Sequence, residues 1–191
     1  MALVQIIGLL FLFLPVVVSA AAEEVEEAHQ QQEVRAPTGC DDRLWVAEWL
    51  NPTTGDLRSD LAVAAHQGRI LAVFWEHPRC KFCAEMHLVA LQRPELRGFF
   101  TGPLYAVRLQ RFGEEEIVDL DGVRRSERDV SLRHGVLGTP TIEFRLADGT
   151  EVFRIPGSAE PAILQAAFEY VTRGGYLHTT FVKWLLARRL L

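Results

Sequence analysis

The alternation of apolar and polar positions predicts four β-strands in the middle of the chain. Residues 70–75 and 104–109 are short, nearly continuous apolar runs, rich in residues that favour buried strands. Residues 141–146 and 150–155 instead alternate between apolar and polar side chains, and the short segment between them has the composition of a tight turn. The last two strands are therefore predicted to form a β-hairpin.

Helical spacing of apolar residues predicts five helices around these strands. They cover residues 44–50, 57–66, 80–92, 126–134 and 159–173. Together with the strands they give the order β-α-β-α followed by β-β-α. This order predicts an α/β fold with a mixed central sheet and helices on both faces, preceded by an N-terminal helical extension.

The first 22 residues contain no charged side chain, which indicates a targeting segment. The small residues of Val18-Ser19-Ala20 fit a signal-peptidase site, so we expect cleavage after Ala20 and a signal peptide of residues 1–20. The segment lacks a Lys or Arg before its apolar run, and it approaches the roughly 20 residues that span a bilayer. An uncleaved N-terminal anchor is the alternative. Either interpretation places the folded domain outside the cytoplasm.

The rest of the chain divides into three predicted parts. Residues 21–38 are rich in Glu and Gln and have few apolar side chains, which predicts a disordered acidic tether. Residues 39–178 contain the predicted strands and helices and have the length of one domain. Residues 179–191 combine an apolar face with basic side chains, which predicts a C-terminal amphipathic helix. That helix docks on the domain or, alternatively, lies on a membrane surface.

Composition excludes several classes of protein. The chain is 49% hydrophobic and 24% charged, close to the values of soluble globular proteins, so a polytopic membrane protein is not expected. Twenty Lys and Arg against 25 Asp and Glu give a net charge of −5, which offers no general attraction for nucleic acid. Three cysteines are too few for a disulfide-stapled miniprotein, and the sequence identifies no partner for Cys40.

The other two cysteines form a Cys-x-x-Cys motif shortly after the first predicted strand. Cys80 falls where the loop turns into a helix, and the positive end of the helix dipole favours a reactive thiolate. Arg79 and Lys81 add positive charge beside it, although each is also explained as an ordinary solvated side chain. Cys83 follows one helical turn later, so its sulfur can form a disulfide with that of Cys80. We predict an exposed nucleophile at Cys80 and a buried resolving thiol at Cys83.

A metal site is the alternative interpretation of the same region. His77, Cys80, Cys83 and His87 have a spacing that zinc ligands can adopt. The helix start that activates Cys80 favours a dithiol without metal or cofactor, and the two histidines are then treated as surface residues. Haem attachment is excluded because the residue after Cys83 is Ala84 and not His.

The order of the parts resembles the thioredoxin fold over about residues 68–173. A strand leads to the Cys-x-x-Cys helix, and Thr139-Pro140 precedes the hairpin and the closing helix. The resemblance implies that Pro140 is cis and packs beside the dithiol. It also implies that the backbone of Thr139 pairs with an extended substrate strand.

The sequence departs from cytoplasmic thioredoxins in the residues around the dithiol. Lys81-Phe82 stands between the cysteines in place of Gly-Pro, and Phe74 stands where those proteins bury a carboxylate that assists cysteine deprotonation. Glu76 is the nearest candidate for the missing proton acceptor, although a glutamate at the end of a strand is commonly solvated.

A closer resemblance links the chain to the periplasmic thioredoxins encoded with bacterial sulfur-oxidation systems, the SoxW-like group. It rests on Phe74-Trp75-Glu76 before the dithiol, Met86-His87 after it, the acidic loop at residues 118–122, and residues 138–141. It implies a periplasmic reductase that keeps a sulfur-carrier protein or related envelope thiols reduced. A membrane electron carrier would then re-reduce the dithiol.

The leading functional prediction is an extracytoplasmic thiol–disulfide oxidoreductase, a monomer that acts on protein disulfides through Cys80 and Cys83. The alternative is a non-catalytic binding module with a thioredoxin fold, or a His/Cys metal-binding protein. An intact dithiol argues against the alternative.

Overall fold

Six strands build two sheets in the computed structural model, which describes residues 47–191. The strands are β1 (Ile70–Glu76), β2 (Leu104–Gln110), β3 (Glu116–Val118), β4 (Arg124–Ser126), β5 (Thr141–Arg145) and β6 (Glu151–Pro156). The main sheet has the order β2-β1-β5-β6, in which β1 is parallel to β2 and antiparallel to β5. Strands β5 and β6 form the predicted hairpin, and β3 and β4 form a separate two-stranded ribbon.

The helices of the described residues lie between and after these strands. They are α1 (Leu57–His66), α2 (Lys81–Glu85), α3 (Pro94–Thr101), α4 (Glu127–Arg133), α5 (Pro161–Thr172) and α6 (Phe181–Ala187). Helix α2 continues into a wider π-helical turn over Met86–Ala90, and a short 3₁₀ turn at Gly175–Leu177 links α5 to α6. Side chains of Asp56 and Ser126 cap α1 and α4 by accepting backbone N–H groups.

Strand β1 divides the interior into two hydrophobic cores because its side chains alternate between the two faces of the sheet. Ala72 and Phe74 pack into a core with residues of α3, α5 and the π-helical turn. Leu71, Val73 and Trp75 pack into a second core with residues of α1 and α4. Both faces of the sheet are covered, so the prediction of a mixed sheet between helices is confirmed.

The structure differs from the predicted elements in three places. The helix predicted over residues 80–92 leaves α-helical geometry after Glu85, and a further helix, α3, begins at Pro94, where none was expected. Proline suits the first turn of a helix because it lacks only an N–H that has no helical partner there. The acidic connection also contains strands β3 and β4, which pair with each other.

The predictions for the first 46 residues lie outside the described part of the chain. These include the signal peptide or anchor, the acidic tether, Cys40 and the first three residues of the helix expected at residues 44–50. The last four residues of that helix are described and form a turn, closed by a hydrogen bond from Leu50 N to Ala47 O.

At the other end, α6 supplies the predicted C-terminal helix. Its Trp184 donates from Nε1 to the carbonyl of Ala166 in α5, at 3.0 Å. The ring of Trp184 also lies 5.5 Å from that of Tyr170. Among residues 47–191, no helix is long and apolar enough to cross a membrane.

Candidate active site

The two cysteines of the motif lie at the N-terminus of α2, immediately after the loop that leaves β1. Cys80 is the N-cap residue, and its Sγ accepts a hydrogen bond from the backbone N–H of Cys83 at 3.1 Å. A disulfide joins Cys80 to Cys83, with their Cα atoms 5.2 Å apart. The unpaired N–H groups of a helix start favour negative charge, so a sulfur held here is suited to reaction as a thiolate.

The two cysteines differ less in solvent exposure than the sequence suggested. Cys83 is fully buried, and Cys80 is only 4% exposed in this disulfide form. The prediction of an exposed Cys80 is therefore wrong for the oxidised protein. Cys80 is nevertheless the more accessible of the two.

The Thr139-Pro140 dipeptide lies against Cys80, although 59 residues separate Thr139 from it in the sequence. The peptide bond between Thr139 and Pro140 is cis, as the resemblance implied. The hydroxyl of Thr139 donates to Sγ of Cys80 at 3.4 Å. Four residues of the candidate site, Cys80, Cys83, Thr139 and Pro140, are thus brought together by the fold.

His77 is not the surface residue that the sequence suggested. It is half-buried, and its Nδ1 lies 2.6 Å from Oγ1 of Thr139. Because the Thr139 hydroxyl donates its hydrogen to Cys80, the pairing requires Nδ1 of His77 to donate to Thr139. A chain of two hydrogen bonds therefore runs from His77 through Thr139 to the reactive sulfur.

Glu76 and His87 form a buried pair on the same side of the sheet as Phe74. Oε1 of Glu76 lies 2.6 Å from Nε2 of His87, and both side chains are 0% exposed. His87 also stacks on Trp49, with the ring centroids 5.5 Å apart. Treating His87 as a surface residue is therefore wrong, and Glu76 is not solvated. The sequence carried a signal for the burial of Glu76, because Glu76 is two residues from Phe74 on the same strand face.

The sequence matches a known family over more than half of its length. The profile of the family described as thioredoxin-like domain matches residues 57–172. The chain belongs to this thioredoxin-like family. No curated protein matches the sequence.

Solved structures agree with this assignment at the level of the fold. A thioredoxin-fold protein from Helicobacter pylori superposes with a TM-score of 0.53 at 19% identity, covering 63% of this chain and 81% of its own. A thioredoxin from Thermus thermophilus has a TM-score of 0.52 at 22% identity, covering 68% of this chain and 93% of its own. The thioredoxin fold is thereby supported by both comparisons.

The two basic residues that flank Cys80 in this thioredoxin-like protein point to solvent. Arg79 and Lys81 are exposed, and Arg79 adopts a left-handed backbone with φ of 61°. A side chain in that conformation costs roughly 1 kcal/mol relative to the right-handed region. The left-handed turn at Arg79 leads the chain directly into the helix start at Cys80.

The four residues of the alternative zinc site are engaged in other contacts. Cys80 and Cys83 share the disulfide, His77 contacts Thr139, and His87 pairs with Glu76. Among residues 47–191, no group of three or more His, Cys, Asp or Glu side chains is arranged to hold a metal ion.

A surface pocket of about 620 Å³ opens beside the cis-proline loop. Phe82 from between the cysteines, Leu137 and Pro156 supply much of its apolar lining. Leu137 is 96% exposed and Phe82 is 56% exposed. Sequence pattern gave no signal for this pocket, since neither residue carries a reactive group. An exposed apolar surface beside a dithiol suits contact with another polypeptide.

A cluster of buried charges lies on the other face of the sheet, around His134. Its Nδ1 is 3.0 Å from Oε2 of Glu143, and its Nε2 is 2.9 Å from Oδ1 of Asp119. Glu143 also accepts a hydrogen bond from Nε1 of Trp75, and Arg145 and Arg154 pair with it.

The charges of this cluster shift the pKa of its members. Burial alone lowers the pKa of His134, but the hydrogen bond and negative charge of Glu143, assisted by Asp119, outweigh it and raise the pKa above its usual value. Burial raises the pKa of Glu143, but His134 and the two arginines lower it overall. The carboxylates thus favour the protonated form of His134, which can donate from both ring nitrogens.

Proposed function

We propose that this thioredoxin-like protein is an extracytoplasmic thiol–disulfide oxidoreductase that reduces disulfides of envelope proteins. The observation that carries the proposal is the Cys80–Cys83 disulfide at the start of α2, in contact with the loop of Thr139 and the cis-proline. A dithiol at this position of this fold has the two features that disulfide exchange needs, a stabilised thiolate and a second thiol within reach.

The reaction begins with reduced Cys80 and Cys83. The Cys80 thiolate attacks one sulfur of a substrate disulfide, forms a mixed disulfide and releases the other substrate sulfur as a thiolate. Cys83 loses its proton and attacks Sγ of Cys80, which breaks the mixed disulfide and releases the second substrate thiolate. The products are the Cys80–Cys83 disulfide and a reduced substrate. Two electrons and two protons, delivered through a membrane electron carrier, restore the dithiol.

Thr139 and Pro140 are the proposed substrate-binding residues. Within the described part of the chain, the backbone N–H and C=O of Thr139 take part in no backbone hydrogen bond, whereas the carbonyl of Pro140 accepts from Gly157 N at 2.7 Å. An extended substrate strand can pair with the open groups of Thr139, which would hold its disulfide in line with Cys80.

Three further residues have supporting roles in this proposal. Arg79 and Lys81 place positive charge on either side of Cys80, which favours its thiolate in solvent of low ionic strength. Glu76 is the proposed proton acceptor of the site. Its buried position replaces the carboxylate that is absent at Phe74, two residues earlier on the same face of β1.

The resemblance to periplasmic thioredoxins of sulfur-oxidation systems supplies the proposed compartment and substrates. We place the domain in the periplasm, free or tethered by an uncleaved N-terminal anchor, with sulfur-carrier proteins as a candidate substrate class. The reaction itself needs no cofactor and no nucleic acid, and a monomer contains every residue named above.

The reduction potential of the purified protein tests the proposed direction. The protein is equilibrated with glutathione or dithiothreitol redox buffers, and the fraction of Cys80–Cys83 disulfide is measured by alkylation and mass spectrometry. We expect a value nearer to about −270 mV, typical of reducing thioredoxins, than to about −120 mV, typical of strong oxidants. A value near the oxidising limit would reverse the direction. A disulfide that exchanges with no protein substrate would favour the binding-module alternative.

A further inference from the structure

One oxygen of the buried Glu76 carboxylate has no hydrogen-bond donor among residues 47–191. Oε1 of Glu76 is 2.6 Å from Nε2 of His87, whereas Oε2 is buried and accepts no hydrogen bond within residues 47–191. A buried carboxylate oxygen without a donor is destabilised relative to water. Binding a proton at Oε2 would remove that penalty.

The pair lies along the same helix as Cys83. His87 follows Cys83 by four residues, so both side chains occupy one face of α2 and its π-helical extension. Both are 0% exposed. Glu76 is the last residue of β1, and its side chain points to the same side of the sheet as Phe74. It therefore contacts the helix face that carries His87. Cys83 is therefore shielded from solvent, as is the Glu76–His87 pair on the same face of the helix.

The π-helical turn is part of the same arrangement. It begins at Met86, directly before His87, and the side-chain amide of Gln92 donates to the carbonyl of His87 at 2.8 Å. Single π turns within α-helices occur frequently at functional sites. Here the turn fixes the backbone of His87, and the stacked ring of Trp49 fixes its imidazole.

One cationic side chain acts on the pair from the neighbouring strand. Arg108 lies on β2 beside Phe74 and is mostly buried. Burial lowers the pKa of Arg108, and the negative charges of Glu76 and Glu127 oppose that change. Among the described residues, Glu76 thus interacts with His87 on the helix side and with the charge of Arg108 on the sheet side, and Glu127 also acts on Arg108.

We propose that His87 is the positioning residue of the proton acceptor: it holds Glu76 by one oxygen and leaves the other oxygen open to the proton of Cys83. The inference rests on the proposed oxidoreductase function and identifies how its resolving step is controlled. His87 donates Nε2–H to Oε1 of Glu76, and the pair carries one negative charge. When Cys83 attacks the mixed disulfide, its proton moves to Oε2 and the Cys80–substrate bond breaks. The electron pair of that bond leaves with the substrate thiolate.

The experiment follows both steps with 5,5′-dithiobis(2-nitrobenzoate) as the substrate disulfide. The attack by Cys80 releases one thionitrobenzoate at a rate proportional to reagent concentration, and the attack by Cys83 releases a second at a rate that does not depend on it. Stopped-flow absorbance separates the two phases from pH 5 to pH 9. All proteins are full chains with Cys40→Ser, so that only Cys80 and Cys83 react.

We expect Glu76→Gln to slow the second phase by about 100-fold at pH 6, the lower range of general-base effects, while the first phase changes little. His87→Leu removes the donor to Oε1 and slows the second phase by about tenfold. His87→Gln keeps an N–H donor, so the rate of its second phase stays within about threefold of that of the protein with Glu76 and His87 unchanged. Glu85→Gln on the exposed side of α2 and the exposed His66→Gln are the matched controls, and neither changes the second phase.

The dependence of the second-phase rate on pH, measured in the protein with Glu76 and His87 unchanged, tests the proposal even where a variant fails to fold. With a base at Glu76, the rate of the second phase changes by less than tenfold between pH 6 and pH 8. A rate that rises tenfold per pH unit over this range shows attack by free thiolate without a base and overturns the proposal. Equal second phases in folded Glu76→Gln and Glu85→Gln also overturn it. A protein with no second phase at any pH would instead contradict the proposed dithiol function itself.

Discussion

Cys80 and Cys83 have different surroundings although only two residues separate them. Sγ of Cys80 is reached by the hydroxyl of Thr139 and by the backbone N–H of Cys83, both of which stabilise negative charge on sulfur. Cys83 is fully buried behind the first turn of the helix. In the proposed reaction an incoming disulfide therefore meets Cys80 first, and Cys83 reacts with a sulfur already bonded to Cys80.

Serine substitutions separate these two roles. We expect Cys80→Ser to abolish exchange with protein disulfides, because no other sulfur can begin the reaction. Cys83→Ser keeps the first attack and accumulates mixed disulfides with substrate, visible on non-reducing gels and by mass spectrometry. Iodoacetamide at pH 7 should label Cys80 of the reduced protein first. Faster labelling of Cys83 would mean that the roles are reversed.

The hydroxyl of Thr139 offers a milder test of the same sulfur. Thr139→Val keeps the shape of the side chain but removes the donor to Cys80. We expect the alkylation rate of Cys80 at pH 7 to fall about fivefold, equivalent to a hydrogen bond of about 1 kcal/mol. Thr139→Ser keeps the hydroxyl and is the control. Equal alkylation rates in the two variants would show that the hydrogen bond from Thr139 does not stabilise the Cys80 thiolate.

At this scale the sequence could identify residues whose spacing or type is itself informative. The Cys-x-x-Cys spacing and the Thr-Pro dipeptide led to Cys80, Cys83, Thr139 and Pro140. The contact of His87 with Glu76 was not predictable in the same way, because it depends on the path of the helix after Cys83. A histidine that lies deep in the protein is also uncommon, so the sequence favoured the solvated position.

At the scale of elements, the strands were predictable where a period could be counted. Strands β5 and β6 alternate apolar and polar positions over five and six residues, and the hairpin follows from that pattern. Strands β3 and β4 have only three residues each, too few to define a period. The change from α-helix to π-helix at Met86 was also hidden. It accompanies the packing of Met86 and Ala90 into the core beneath the sheet, which local sequence does not encode.

The ion-pair cluster that joins α4 to β5 gives an element-scale prediction about pH. Interactions with Glu143 and Asp119 raise the pKa of His134 in the folded protein against the effects of burial and of Arg145. A group whose pKa is raised by folding stabilises the protein fully below its unfolded pKa of about 6.5, and this contribution is lost as pH rises through the folded pKa.

Replacement of His134 tests this contribution. We expect His134→Gln to lower the free energy of unfolding by about 2 kcal/mol at pH 6, since the two buried carboxylates lose the imidazolium between them and keep only their arginine partners. The difference from the unmodified protein should shrink as the pH is raised above 6.5 in urea-unfolding experiments. The exposed His178→Gln is the control. A difference that grows with pH would contradict an imidazolium at this position.

At the scale of the whole molecule, the two cores leave the dithiol at one end of the sheet. Strands β1 and β2 run parallel and end beside the loop of Cys80, and loops at the carboxyl ends of parallel strands are where α/β proteins place their sites. Exposed Phe82 and Leu137 border this end. The arrangement presents an apolar, open surface to an extended polypeptide, in keeping with the proposed protein substrates.

The compartment in which this surface works is the last prediction, and it depends on the first residues of the sequence. Val18-Ser19-Ala20 provides small side chains where a signal peptidase binds them, so we expect a mature chain that begins at Ala21 and is recovered outside the cytoplasm. N-terminal sequencing of the protein from fractionated bacterial cells measures this. Ala20→Arg should block cleavage, because the charged side chain does not fit the small pocket, and should leave the intact chain in the membrane fraction. An intact Met1 terminus in the membrane fraction of the unmodified protein would establish the anchor. An intact terminus in the cytoplasm would contradict both forms of export and, with them, the proposed envelope substrates.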